Sequence, residues 1–113
     1  MKKSQTLSAI LTAYNNIFPH GNRNFNNIIG KSDTTAYDDT ALLCLYWDND
    51  LLFINSVSKD DKKFPIMMLK DIISLAKKHE KVCLSTERKE EIRRLATHLG
   101  AVEIEIGYIK GVL

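Results

Sequence analysis

The chain is poor in the residues that would indicate a disulfide-stapled or membrane-spanning protein, with two cysteines, two prolines and five glycines among 113 residues. Cys44 and Cys83 form no CxxC pair and lie in apolar, strand-like runs, so we expect two buried reduced thiols. No apolar run approaches the roughly 20 residues that span a bilayer, and the start, 1–3, leads into a polar helix unlike a signal sequence. We therefore expect a cytoplasmic protein with no membrane partner.

The sequence also lacks a large excess of positive or of negative residues. Sixteen Lys and Arg residues against 14 Asp and Glu give a net charge of +2, far below the basic load of a protein that binds phosphate backbones. The composition therefore carries no strong nucleic-acid signal. A chain of this length can bury roughly two-thirds of its unfolded surface in one core, so we expect residues 1–113 to form a single domain.

The clearest patterning begins at Phe64. After Pro65, which suits a first helical position, apolar residues recur at i, i+3, i+4 and i+7, and this spacing predicts an amphipathic helix ending near Glu80. Its predicted buried face is Leu69, Ile72, Ile73 and Ala76, and its predicted polar side is Lys70, Asp71, Ser74, Lys77 and Lys78.

Extended and helical patterning then alternate along the rest of the chain. Residues 82–84 form a short apolar run typical of a strand buried on both faces. The helical spacing returns in Ile92, Leu95, Ala96 and Leu99 and ends at Gly100, a C-terminal helix stop. Residues 102–106 alternate with period two, which predicts a strand with one solvated face.

The first half of the sequence predicts one helix and one hairpin. Apolar residues at helical spacing predict one helix, with Ser4 or Thr6 as the N-cap. Its apolar stripe is Leu7, Ile10, Leu11, Tyr14, Ile17 and Phe18. Residues 22–40 are rich in Asn, Asp, Ser and Thr, so we expect a long loop holding at most one short helix. Two apolar and aromatic runs, 41–47 and 51–57, flank Asp48-Asn49-Asp50 and predict an antiparallel hairpin.

The expected fold is therefore α/β (α+β): a mixed central sheet flanked by helices, in the order α-loop-β-β-α-β-α-β. The last residues, from Tyr108 to Leu113, either extend the final strand or return as a short one. An exposed edge strand there can pair with its copy in a second chain, so a homodimer is one expectation.

Several patterns that suggest chemistry have simpler explanations. Gly30-Lys31-Ser32 matches the end of the P-loop motif, but Phe25 occupies the earlier position at which that motif needs glycine. The three histidines lack metal-ligand spacing, so no metal site is predicted. Glu103 and Glu105 either frame a general base or keep an edge strand charged.

One charged run lies where an anion can bind. Residues 59–63, Lys-Asp-Asp-Lys-Lys, fall between a strand end and a helix start. Backbone N–H groups and the helix dipole favour anions at such a junction. Lys62 and Lys63 would reinforce this site, and a solvated charged loop is the alternative reading.

From Val57 to Ala101 the sequence resembles the second half of the GNAT acyltransferase superfamily, in which a strand, a phosphate-binding loop, a helix, a strand, a helix and a Leu-Gly-Ala ending follow in that order. The segments Lys62-Lys63-Phe64 and Leu99-Gly100-Ala101-Val102 are most similar to small phage-encoded members, including internal virion proteins. The preceding helix, loop and hairpin fit the same family.

The resemblance implies a function and a set of site residues. It implies acetyl-CoA as cofactor, held by Ser56, Val57, Ser58, Lys62, Lys63 and Phe64, with the thioester carbonyl polarised by a backbone N–H of residues 56–58. The loop glycines of the family are absent here, and Ala96 replaces its general-acid tyrosine. The candidates for the catalytic groups are His20, Glu103 and Tyr108.

Two functions follow from the resemblance. The first is an acyl-CoA-dependent N-acyltransferase acting on an amine substrate through a degenerate pyrophosphate loop. The second is a catalytically inactive GNAT-like scaffold, a phage-type inhibitor of a host protein or a virion component. The missing glycines and tyrosine favour the second function, whereas the order of elements fits both.

Overall fold

The computed structural model describes residues 3–49, 51–59, 64–79, 82–85 and 106–107. These residues form a mixed α/β domain in which three helices flank one sheet. The elements are β1 (Lys3–Ser4), α1 (Leu7–Ile17), α2 (Arg23–Ile29), β2 (Asp33–Tyr37), β3 (Ala41–Asp48), β4 (Leu51–Ser58), α3 (Ile66–Lys78), β5 (Val82–Ser85) and β6 (Ile106–Gly107).

The strands lie in the sheet in the order of the chain, from β1 to β6. Strands β1 to β4 pair antiparallel with their neighbours. The pairings of β4 with β5 and of β5 with β6 are parallel. The coarse fold class predicted from sequence is therefore confirmed. The second predicted helix and most of the last predicted strand lie outside the described residues.

Helix α1 begins where the sequence predicted. Thr6 is the N-cap, and its side-chain oxygen accepts the Ala9 N–H at 3.2 Å. Ile10 and Tyr14 are buried as expected, whereas Leu7 and Leu11 are 70% and 50% exposed. The predicted apolar stripe was therefore too wide, because Leu11 lies about 100° around the helix from Ile10.

The predicted loop of residues 22–40 is more ordered than expected. It holds the short helix α2, capped by the Asn22 side chain, which accepts the Phe25 N–H at 2.9 Å. It also holds β2, which the sequence analysis missed. Asp38 and Asp39 both have positive φ, and the Thr40 N–H donates to the Tyr37 carbonyl at 3.1 Å, so a tight turn joins β2 to β3.

The predicted hairpin is confirmed as β3 and β4. Their pairing is continuous from Ala41↔Ser58 to Asp48↔Leu51, and Asn49 has φ 58° in the turn. Helix α3 begins at Ile66, so Pro65 is the N-cap and the prediction that it would be the first helical residue was wrong by one position. Its extended ψ of 134° places Pro65 outside the helix.

The sheet separates two apolar clusters. On one face α3 packs over β2, β3 and β4, and this cluster is formed by Tyr37, Ala41, Leu43, Leu52, Ile54, Met68, Leu69 and Ile72. On the other face α1 and α2 form the cluster of Ile10, Ala13, Tyr14, Phe25, Ile28, Ala36, Leu42 and Cys44. Within the described ranges, none of the three helices is long and apolar enough to cross a bilayer.

The cap of α1 is testable. Thr6→Ala removes the acceptor for the Ala9 N–H, and we expect it to lower the free energy of unfolding by about 1 kcal/mol. Thr6→Ser retains a hydroxyl and should stay close to the wild type. Urea denaturation followed by circular dichroism measures both, and equal midpoints for the two variants would show that this cap does not stabilise the fold.

Candidate functional site

Strand β4 is where the sheet changes from antiparallel to parallel pairing. It pairs with β3 along its full length and with β5 from Leu52↔Val82 to Asn55↔Ser85. Helix α3 connects β4 to β5, so its start follows the carboxyl end of β4. In sheets with parallel strands, ligands bind beyond the carboxyl ends of those strands, beside the start of the crossover helix.

The carboxyl half of β4 is polar although it is buried. Asn55, Ser56 and Ser58 are 0%, 3% and 9% exposed. The amide oxygen and nitrogen of Asn55 and the hydroxyl of Ser56 have no hydrogen-bond partner in the described part of the chain. Each buried polar group left unpaired costs about 1–3 kcal/mol. These atoms therefore mark the place in β4 where a bound polar group would be most stabilising.

The two unpaired residues lie on opposite faces of the sheet. Side chains alternate along a strand, and Ile54 belongs to the cluster under α3. Ser56 therefore shares the α3 face, where it lies opposite Leu43 of β3. Asn55 is on the α1 and α2 face, opposite Cys44. Both adjoin the last described β4–β5 pair, Asn55↔Ser85.

The N-cap residue of α3 supplies no side-chain cap. Pro65 is this residue, and its side chain makes no hydrogen bond to the first turn. Ile66 is 63% exposed at the first helical position. The first backbone N–H groups of a helix have no partner within the helix and carry the positive end of its dipole. This first turn of α3 has the polarity to receive an anion.

The structure brings together only part of the predicted site. Ser56 and Ser58 lie on the α3 face of β4, and Phe64 packs against the cluster under α3. Val57 packs against the cluster under α1 and α2, on the opposite face. His20 is exposed in the turn after α1 and makes no hydrogen bond or ion pair with β4 in the described residues. Four predicted residues lie outside the described residues, namely Lys62, Lys63, Glu103 and Tyr108.

A cavity that the sequence analysis missed lies between α3 and the strands β2 and β3. Its volume is about 300 Å³. Within it Asp71 accepts a hydrogen bond from the Tyr37 hydroxyl at 2.6 Å and pairs with the Lys3 ammonium at 3.2 Å, both through Oδ2. The helical spacing predicts Asp71 on the polar side of the helix, away from the sheet. The strand register explains the difference, because Lys3 and Tyr37 are cross-strand neighbours facing α3.

The hydrogen bond with Asp71 affects the ionisation of Tyr37. Burial is the largest cause that raises the pKa of the Tyr37 hydroxyl far above its ordinary value, and the hydrogen bond and negative charge of Asp71 add to it. Tyr37 therefore remains a proton donor to Asp71 throughout the physiological range. Tyr37 ends a segment rich in Thr and Tyr just before Asp38-Asp39, and this hairpin signal could have revealed β2.

Cys44 is a buried free thiol, as predicted. Burial raises its pKa, although the Thr34 hydroxyl 3.6 Å from Sγ acts in the opposite direction. A protonated thiol is a poor nucleophile. The side chain of Cys83 lies outside the described residues. Among the residues described, no group of three His, Cys, Asp or Glu side chains could hold a metal ion.

The raised pKa of Tyr37 predicts a loss of stability at alkaline pH. Above the ordinary value of 10.0, the unfolded chain releases the phenolic proton while the folded protein keeps it. The free energy of unfolding should therefore fall by up to about 1.4 kcal/mol per pH unit above this value. Tyr37→Phe lacks the hydroxyl, so the stability difference between wild type and variant should shrink above pH 10.0.

Urea denaturation between about pH 8 and pH 11 tests this linkage. Below pH 10.0 the Tyr37→Phe variant should be less stable by about 1.5–3 kcal/mol, because it loses a hydrogen bond to a charged acceptor. A difference that stays constant across the whole range would contradict the assignment.

The unpaired amide of Asn55 predicts an unusual stabilising substitution. Asn55→Leu conserves the shape and removes two buried polar atoms without partners, so we expect it to raise the free energy of unfolding by about 1–2 kcal/mol. Asn16 is the matched control, because its amide donates to the Asp39 carbonyl at 2.8 Å. Asn16→Leu should destabilise. Loss of stability in Asn55→Leu, measured by urea denaturation, would show that the Asn55 amide has partners in solution.

Comparison with protein-family models, with curated proteins and with solved structures finds no match for this chain. The similarity to the GNAT superfamily therefore stays a prediction from the sequence. The candidate site is defined by its own geometry, which is the parallel pairing on one edge of β4, the polar atoms of Asn55 and Ser56 that have no partner in the described residues, and the start of α3 at Pro65.

Proposed function

We propose that the protein is a GNAT-like N-acyltransferase that binds acetyl-CoA at the carboxyl end of β4 and transfers the acetyl group to an amine. The single observation that carries the proposal is the hydroxyl of Ser56, which is buried and has no partner in the described residues, directly after Asn55, the last β4 residue paired with β5 in those residues. A ligand that enters this junction supplies the missing partner.

The start of α3 supports the anionic part of this ligand. Its N-cap residue, Pro65, makes no side-chain hydrogen bond to the first N–H groups, and these groups follow the β4 to α3 connection. The pyrophosphate of acetyl-CoA suits this place through the helix dipole. Lys62 and Lys63 of the connection add positive charge in the sequence, which compensates for the glycines that the family has in its phosphate loop.

The proposed reaction is direct transfer. The amine nitrogen attacks the thioester carbonyl carbon, the new C–N bond forms, the C–S bond breaks, and the thiolate of CoA leaves. The proton released by the amine passes to a base, for which His20 and Glu103 are the candidates in the sequence. A backbone N–H within residues 56–58 polarises the carbonyl, so orientation and carbonyl polarisation carry most of the rate.

A second function is favoured by the surface of α1. Leu7 and Leu11 are 70% and 50% exposed and lie one turn apart on the helix. Together with the absent loop glycines, this apolar patch supports an inactive GNAT-like scaffold that acts by contact with a host protein. If the protein is an inactive scaffold, acetyl-CoA should not stabilise it. If it is an acyltransferase, acetyl-CoA must stabilise it.

Thermal unfolding with and without millimolar acetyl-CoA separates the two functions. A ligand present at about 100 times its dissociation constant stabilises the folded state by about 2.7 kcal/mol, so we expect a clear rise in melting temperature. Ser56→Ala should reduce this rise without lowering the melting temperature of the free protein, because the hydroxyl it removes is unpaired.

Ser8→Ala is the control, since Ser8 is exposed on α1 and should leave the rise unchanged. An unchanged melting temperature of the wild type in acetyl-CoA would remove the cofactor from the proposal. An equal rise in Ser56→Ala would show that acetyl-CoA binds elsewhere.

A further inference from the structure

The cavity between α3 and the strands β2 and β3 is separate from the end of β4. Its helical wall is one face of α3, on which Asp71, Ser74, Leu75 and Lys78 recur at i, i+3, i+4 and i+7. Its floor is formed by side chains of β2 and β3 on the same face of the sheet. With a volume of about 300 Å³, it is at the lower end of the range for small-molecule pockets.

The charges that line the cavity do not cancel. The carboxylate of Asp71 is engaged by Lys3 at 3.2 Å and by the Tyr37 hydroxyl at 2.6 Å. Lys78 is exposed at the other end of the cavity and has no ion pair or hydrogen bond in the part of the chain described. Among the described residues one positive charge of the lining is therefore left without a partner, which favours an anionic ligand.

The floor of the cavity favours an apolar body on that ligand. Leu43 is 3% exposed, and Leu45 and Leu75 pack around the same cluster. These leucines offer no hydrogen bonds, so a bare inorganic anion would be poorly matched to this surface. The other uncharged polar residues of the lining, besides Tyr37, are Gln5, Thr35 and Ser74.

We propose that this cavity binds a small organic carboxylate, with its carboxylate paired to Lys78 and its apolar body on Leu43, Leu45 and Leu75. The hydrogen bond from Tyr37 to Asp71 and the ion pair of Asp71 with Lys3 join β1, β2 and α3. These contacts form the wall of the cavity opposite Lys78. The site is independent of the acetyl-CoA proposal, since it uses no residue of the β4 carboxyl end or of the first turn of α3.

Calorimetric titration with octanoate tests the site, with 1-octanol as a probe of the same chain length that lacks the carboxylate. We expect saturable octanoate binding and about ten-fold weaker binding of octanol. Lys78→Gln should weaken octanoate binding about ten-fold and leave octanol binding unchanged. Lys70→Gln is the matched control, because Lys70 is exposed on the same helix and does not line the cavity.

Ser74→Trp gives a second test, because a large side chain at this exposed position of α3 would fill the cavity and block octanoate. Circular dichroism shows whether each variant folds. The proposal is overturned if octanoate does not bind the folded wild type, if octanol binds as tightly as octanoate, or if Lys78→Gln binds octanoate as the wild type does. It is equally overturned if folded Ser74→Trp binds octanoate with unchanged affinity.

Discussion

The structure depends on β4, because this strand is shared by two kinds of pairing and by both cores. Leu52 and Ile54 lie in the cluster under α3, and Val57 packs against the cluster under α1 and α2. The same strand pairs antiparallel with β3 and parallel with β5. A parallel pair requires a crossover connection, and here that connection contains α3. The position of α3 over the sheet, and hence of both candidate sites, follows from this constraint.

The two candidate sites differ in whether their buried polar groups have hydrogen-bond partners among the described residues. At the cavity, Tyr37 is buried but donates to Asp71, and Lys3 completes the charge pairing, so the group joins three elements at little cost. At the end of β4, Asn55 and Ser56 are buried with no partner in the described residues. Such a buried group calls for a partner, and a ligand bound at the end of β4 would supply one to Ser56.

Local signals in the sequence predicted the elements that are specified locally. The hairpin was found because two apolar runs flank residues suited to a positive φ, and Leu69, Ile72 and Ile73 are buried as their spacing required. Strand β2 was missed because only its last two residues are apolar and its stability comes from pairing with β3. Asp71 was misplaced for a similar reason, since its partner Tyr37 is 34 residues away in the chain. The family resemblance implied Ser56, Val57 and Ser58 as cofactor residues, and no signal in the sequence indicated that Asn55 is buried.

The most direct test of the account is hydrogen–deuterium exchange of the free protein and of the protein with acetyl-CoA. Binding at the carboxyl end of β4 should slow the exchange of backbone amides in residues 56–58 and in the first turn of α3, where the ligand supplies new partners. Amides of β2 and β3 should be unaffected. Exchange that stays unchanged at β4 and α3 while the ligand is saturating, or that slows only in other elements, would contradict the central claim that β4 ends in a ligand site.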